Sequence, residues 1–136
     1  MNLHIEPGLL AQIYRHDEAA YPEEGAGFLL GSEGQAREVT AILPLGNTRQ
    51  GEARRNRYLI SPLDYLNAEK EAERLGLTLL GVFHSHPDQP SDYDRDWAQP
   101  WFSYLITSVY NGKAVESRSW RLEEDRSCFF EEKILQ

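Results

Sequence analysis

Leu77-Thr78-Leu79-Leu80-Gly81-Val82-Phe83, running directly into His84-Ser85-His86-Pro87, is the stretch on which the fold turns. Its first seven residues are apolar at both parities, the pattern of a strand covered on both faces. Upstream, Ser61-Pro62-Leu63-Asp64 reads as a helix start: serine caps, proline suits the first helical position, and Asp64 sits where a capping acid belongs. Tyr65, Ala68, Ala72 and Leu75 then recur at helical spacing as one apolar stripe, and Gly76 is a stop. A buried strand fed by a helix predicts an α/β fold, a mixed β-sheet flanked by helices.

Working outward, residues 2–6 suit a short strand, and Leu9, Leu10, Ile13 and Tyr14 share one face of a helix that fades near Ala20, before Pro22. Gly25 to Gly31 and Glu38 to Leu45 read as strands joined through Ser32-Glu33-Gly34. Gly46 to Arg57 is polar and basic, hence a loop, and Tyr58 to Ile60 reads as a short strand. Downstream, Tyr104 to Tyr110 and Ala114 to Leu122 form a hairpin across Asn111-Gly112. The tail from Cys128 to Leu135 fits either a strand or a short helix. No repeat or linker interrupts this order, so residues 1–136 read as a single domain.

Composition narrows the function classes. A chain of 136 residues with 40% apolar residues supports one core and too few residues remain for a second. A net charge of −8 argues against nucleic acid as partner, because phosphate contacts need a basic face. Cys128 is the one cysteine, which points to a reducing compartment. No signal peptide is visible, and Leu77 to Phe83 is far shorter than the roughly 20 residues of a spanning helix, so a cytoplasmic protein without a membrane partner is expected. Arg49, Arg54, Arg55 and Arg57 concentrate positive charge, either as an exposed loop or to steer an acidic partner.

His84 and His86 carry the clearest chemical signal. Residues i and i+2 of a strand point to one face, so both imidazoles can converge on one ion, and Pro87 keeps His86 extended. The carboxyl end of a buried strand is also where open α/β sheets form clefts. Alone, an H-x-H pair also fits two histidines capping a strand. Four aspartates follow, at 88, 92, 94 and 96, and one of them could complete a His, His, Asp set with a fourth zinc position left for water. Asp88 is too near His86 to chelate the same ion and is considered only as an outer partner. Ser91-x-x-Asp94 also reads as a plain helix-capping pair. A calcium loop beginning at Asp92 fails, because Trp97 stands where glycine is required and Ser103 where glutamate is. Only His4 and His16 remain as further histidines; both read as packing residues, and no G-x-S-x-G elbow supports a serine triad. Glu23 and Glu24 precede a strand of small residues, where an acid could lean into a cleft from a neighbouring element or simply be solvated.

Taken in order, Glu24-x-x-Gly27-Phe28-Leu29-Leu30-Gly31, His84-Ser85-His86-Pro87 and Ser91-x-x-Asp94 resemble the JAMM (MPN-plus) zinc metalloprotease family. The likeness is greatest to the short bacterial members found alongside ubiquitin-like sulfur carriers. It implies a JAMM/MPN-like fold, similar to the cytidine deaminase-like architecture. It also implies zinc held by His84, His86 and Asp94, Glu24 as general base and Ser91 as a stabiliser of the oxyanion. Glu24 is preferred to Glu23 for its three-residue spacing to Gly27. The implied reaction is hydrolysis of a peptide or isopeptide bond at the glycine-rich C-terminal tail of a ubiquitin-like or sulfur-carrier protein, with a homodimer left open. One departure stands out: the family pattern has seven residues between the second histidine and the serine, and here Pro87 to Pro90 supply four. The alternatives are an MPN-type binding module whose catalysis is impaired, and a zinc used only for structure.

Overall fold

The computed structural model describes residues 2–45, 60–88, 90–91, 102–122 and 129–136. In chain order the elements are β1 (Asn2–Ile5), α1 (Pro7–Ala20), β2 (Ala26–Ser32), β3 (Arg37–Pro44), α2 (Pro62–Leu75), β4 (Thr78–Pro87), β5 (Ser103–Tyr110), β6 (Lys113–Leu122) and β7 (Phe129–Leu135). The expected basic loop at Arg49–Arg57, Tyr58, Cys128 and the aspartates at 92, 94 and 96 lie outside the described residues.

Local chemistry accounts for both helices. Ser61 and Asp64 exchange side-chain bonds with each other's backbone N–H groups, the reciprocal capping box, with Pro62 opening α2. The helix ends at Gly76, whose φ of 71° is the left-handed conformation that glycine adopts without a Cβ penalty. Ala68 and Ala72 are buried as expected, whereas Leu75, expected on the same apolar stripe, is 44% exposed. In α1, Leu10, Ile13 and Asp17 form the buried face, with Leu9 and Tyr14 partly buried beside it.

The sheet is mixed, as expected, and it closes. Its order is β1-β3-β2-β4-β5-β6-β7, and β1 pairs in parallel with both β3 and β7. The sheet is a closed barrel, in which a four-residue strand joins the two edges. β4 and β5 are parallel, and the β2–β3, β2–β4, β5–β6 and β6–β7 pairs are antiparallel. The undecided tail is a strand, β7, paired to β6 and β1.

Two cores lie on opposite faces of β4, as the adjacent residues Val82 and Phe83 show. Val82 packs with Phe28, Leu30, Tyr104 and the α2 alanines. Phe83 packs with Leu29, Leu105 and the α1 residues Leu10 and Ile13. β4 is thus covered on both sides, the arrangement its sequence predicts. Gly27 stands where it does because a Cβ there would lie 2.3 Å from the Phe83 ring. Among the described residues, no helix is long and apolar enough to cross a membrane.

Candidate functional site

β4 continues through the histidine motif, because β5 pairs with it as far as Pro87, opposite Val109. His84 and His86 therefore stay in strand geometry and share one face. Their ring centroids are 5.1 Å apart and the planes are tilted by 58°. His84 is buried against the α2-side core, and His86 is half-buried.

Between them, Ser85 faces the other way and fastens the next segment. Its N–H donates to the Gly25 carbonyl at 3.0 Å, and the Gly25 N–H donates to the Ser85 hydroxyl at 2.8 Å. That pair draws the chain before β2 alongside β4, with Ala26 opposite His84. Glu24 consequently lies on the histidine face, largely buried, with Oε1 3.8 Å from His84 Nδ1. The distance is beyond a hydrogen bond and short enough for a carboxylate to act on anything bound at the pair.

His86 is oriented from behind. Its Nδ1 lies 2.8 Å from the Pro90 carbonyl oxygen. A carbonyl only accepts, so Nδ1 carries the proton, and the neutral ring then presents the Nε2 lone pair. A backbone carbonyl bonded to one ring nitrogen is the arrangement that holds a ligating histidine in register with a metal ion. Two imidazoles on one face, one of them so oriented, with a carboxylate beside them, fit zinc. Among the described residues no three His, Cys, Asp or Glu side chains form a ligand cluster, and Asp94, the expected third ligand, lies outside them.

Ser91 is 1% exposed. Its carbonyl accepts from Trp120 Nε1 at 3.0 Å, and its hydroxyl lies 3.4 Å from Glu116 Oε2. Glu116 sits in one cross-strand row with His86 and Ser108, so β4, β5 and β6 each contribute a polar side chain to this face. Asp88, considered as an outer partner of the histidines, instead ties the end of β4 to its surroundings. Its carboxylate accepts from the Tyr21 hydroxyl at 2.7 Å and from the Asn111 N–H at 3.1 Å, while its own N–H donates to Val109. The Tyr21 hydroxyl is held above its usual pKa chiefly by that bond to Asp88.

His16 is a packing residue, as expected. Its ring meets the Phe83 ring edge-on at 5.9 Å, and Nε2 lies 3.2 Å from the Ala26 carbonyl oxygen. Burial lowers its pKa despite the Ala26 and Leu45 carbonyls, so the neutral ring donates to Ala26. The structure thus brings together Glu24, His84 and His86, with Ser91 held close by at the same strand ends. Trp120 and Glu116 were not legible as site residues. The only signal for them is their place on a strand adjoining β5.

A family model described as prokaryotic homologs of the JAB domain matches residues 6–123. A "Probable TtuB-protein conjugate cleaving protease" from Thermus thermophilus is 38% identical over 89 residues, covering 65% of the chain and 56% of the relative. The chain therefore spans just over half the length of that protein. A "Desampylase" from Haloferax volcanii is 35% identical over 109 residues, covering 77% of the chain and 75% of the relative. The solution structure of a protein from Salinibacter ruber is also similar, with a TM-score of 0.75 and 38% identity over 98% of this chain and 90% of the other.

Proposed function

The chain belongs to the family of prokaryotic homologs of the JAB domain, and on that premise we propose that it is a zinc-dependent isopeptidase cleaving conjugates of a ubiquitin-like or sulfur-carrier protein. The observation that carries this reading is the convergence of His84, His86 and Glu24, with the carboxylate 3.8 Å from the first imidazole. Relatives named as a conjugate-cleaving protease and a desampylase support it.

His84, His86 and Asp94 would hold the ion. When bound, zinc supplies Lewis acidity, polarising the scissile carbonyl and making water acidic enough to lose a proton near neutral pH. Glu24 takes that proton on a carboxylate oxygen and passes it to the departing amine, so one side chain is base and then acid. Ser91 donates its hydroxyl proton to the oxyanion that develops on the former carbonyl oxygen. A substrate tail ending in glycines suits the site, because it brings no side chain that has to be accommodated beside Glu24 and the two histidines. The proposed location is the cytoplasm, consistent with a single cysteine.

Glu24→Gln keeps the shape of the side chain and removes its basicity. Turnover of a ubiquitin-like conjugate should fall by about 100- to 10,000-fold while metal analysis still finds one zinc per chain. Undiminished turnover in that variant eliminates the assigned base. Wild-type protein that binds no zinc and cleaves no conjugate would instead support the binding-module reading, which the shortened loop before Ser91 favours.

A further inference from the structure

Three side chains or ring nitrogens from β4 and β6 grip the dipeptide Pro90–Ser91. His86 Nδ1 donates to the Pro90 carbonyl at 2.8 Å, Trp120 Nε1 donates to the Ser91 carbonyl at 3.0 Å, and the Ser91 hydroxyl reaches Glu116 Oε2 at 3.4 Å. These contacts differ in kind. Hydroxyl bonds to oxygen are normally about 2.7–2.8 Å, so a contact of 3.4 Å is weak and readily released. The two backbone contacts have ordinary lengths. Ser91 is therefore fixed through its main chain, and its hydroxyl remains able to turn.

A serine serving an oxyanion needs that combination. Its single proton has to leave whichever acceptor it rests on and swing towards the new charge, with no covalent bond made or broken. The Oγ atom must meanwhile stay where it was, since the rate depends on donor placement to within a fraction of an ångström. Trp120 suits the task. Its indole N–H only donates, so the bond has one direction. Its ring packs against the cluster containing Phe28, Val82 and Tyr104, and Tyr104 is its partner across the β5–β6 ladder. A half-buried ring braced against that cluster thus aims its N–H at one carbonyl.

We propose that Trp120 is the positioning residue for Ser91, holding its backbone so that the hydroxyl can alternate between Glu116 and the substrate oxyanion. This rests on the isopeptidase reading above. The assay substrate is a ubiquitin-like protein whose C-terminal glycine is joined through an amide to a fluorescent amine. Trp120→Phe keeps an aromatic ring in the cluster and deletes the donor; kcat should fall about tenfold, with KM within about twofold and one zinc retained per chain. In a Ser91→Ala background the same substitution should cost less than about twofold, because both changes act through one group. Losses that multiply across the two backgrounds, or an unchanged kcat, overturn the proposal. If Trp120→Phe does not fold, 3-benzothienylalanine at position 120 keeps the bicyclic shape with sulfur in place of N–H, and the same outcomes apply. A readout independent of catalysis is available in the metal-free protein, where the Trp120 indole proton should exchange with solvent much more slowly than an exposed indole. Free exchange also overturns the proposal. If wild-type protein neither binds zinc nor cleaves the substrate, the isopeptidase reading fails; if wild type is active and Trp120→Phe is its equal, only the positioning role fails.

Discussion

Replacing Asp17 by asparagine should stabilise the protein at neutral pH and change little near pH 4. Asp17 lies on the buried face of α1 with no exposed surface, and among the described residues neither carboxyl oxygen has a hydrogen-bond partner. Burial, assisted by the charge of neighbouring Glu18, raises its pKa well above the ordinary 3.8. The group is thus neutral in the folded protein over a pH range in which the unfolded chain has already ionised it. Below an unfolded pKa near 3.8 both states are protonated and the linkage contributes nothing. As pH rises above that value, stability falls by about 1.4 kcal/mol per pH unit, until the folded carboxyl itself titrates and the loss levels off. At pH 7 the cost therefore cannot exceed about 4 kcal/mol. Against a typical total of about 5–15 kcal/mol, a fraction of that ceiling is a large effect. Asparagine has the same shape and is also polar, so it keeps the desolvation cost and removes only the proton linkage. Urea unfolding of both proteins at pH 4, 5, 6 and 7 should give free-energy curves that coincide at the acid end and diverge with pH, the variant being the more stable. A gap of constant size, or a variant less stable at pH 7, would show that Asp17 is ionised and compensated in the fold.

Two further substitutions test the elements that frame the site. Ser61→Ala removes the hydroxyl that accepts from the Asp64 N–H at the start of α2, leaving the reciprocal bond from its own N–H to Asp64, and should cost about 1 kcal/mol, seen by calorimetry as a lower Tm, with zinc binding unaffected. Gly27→Ala places a methyl group 2.3 Å from the Phe83 ring and 2.8 Å from the Leu43 carbonyl, so β2 has to shift; about 1–3 kcal/mol of stability should be lost, and a thermal midpoint equal to wild type would refute the close packing of β2 on β4.

What the sequence displayed was what short-range chemistry encodes. The start of α2 rests on Ser61, Pro62 and Asp64 and its stop on Gly76, all within a few residues of the effect, and the helix occupies the predicted span. β4 was legible because burial on both faces leaves no polar alternation. The closure of the sheet was not. β1 is four residues long and finds its partners in β3 and β7, the latter at the far end of the chain, and parallel pairing needs no turn that would mark it. The tail fits two conformations for the same reason: its strand state is settled by β6 and β1 and not by its own residues.

The site divides along the same line. Glu24, His84 and His86 belong to short motifs, and one ladder pair, Gly25 with Ser85, is enough to bring the acid beside the imidazoles. Trp120 and Glu116 depend on a defect. The turn at Asn111-Gly112 pairs Tyr110 with Lys113 and Val109 with Ala114. Continued without interruption, that register sets Glu116 opposite Thr107 and Trp120 opposite Ser103, on the face away from the histidines. The register shifts between Ser108 and Val109, leaving Val115 without a partner and 58% exposed, and the rest of β6 moves by one residue. A one-residue slip exchanges the faces of a strand, so Glu116 comes opposite Ser108 and Trp120 opposite Tyr104, both towards Ser91. Nothing in the residues around Val115 announces the bulge, since β-branched residues suit a regular strand equally well. A single inserted residue therefore decides whether β6 serves the site or only covers the opposite core.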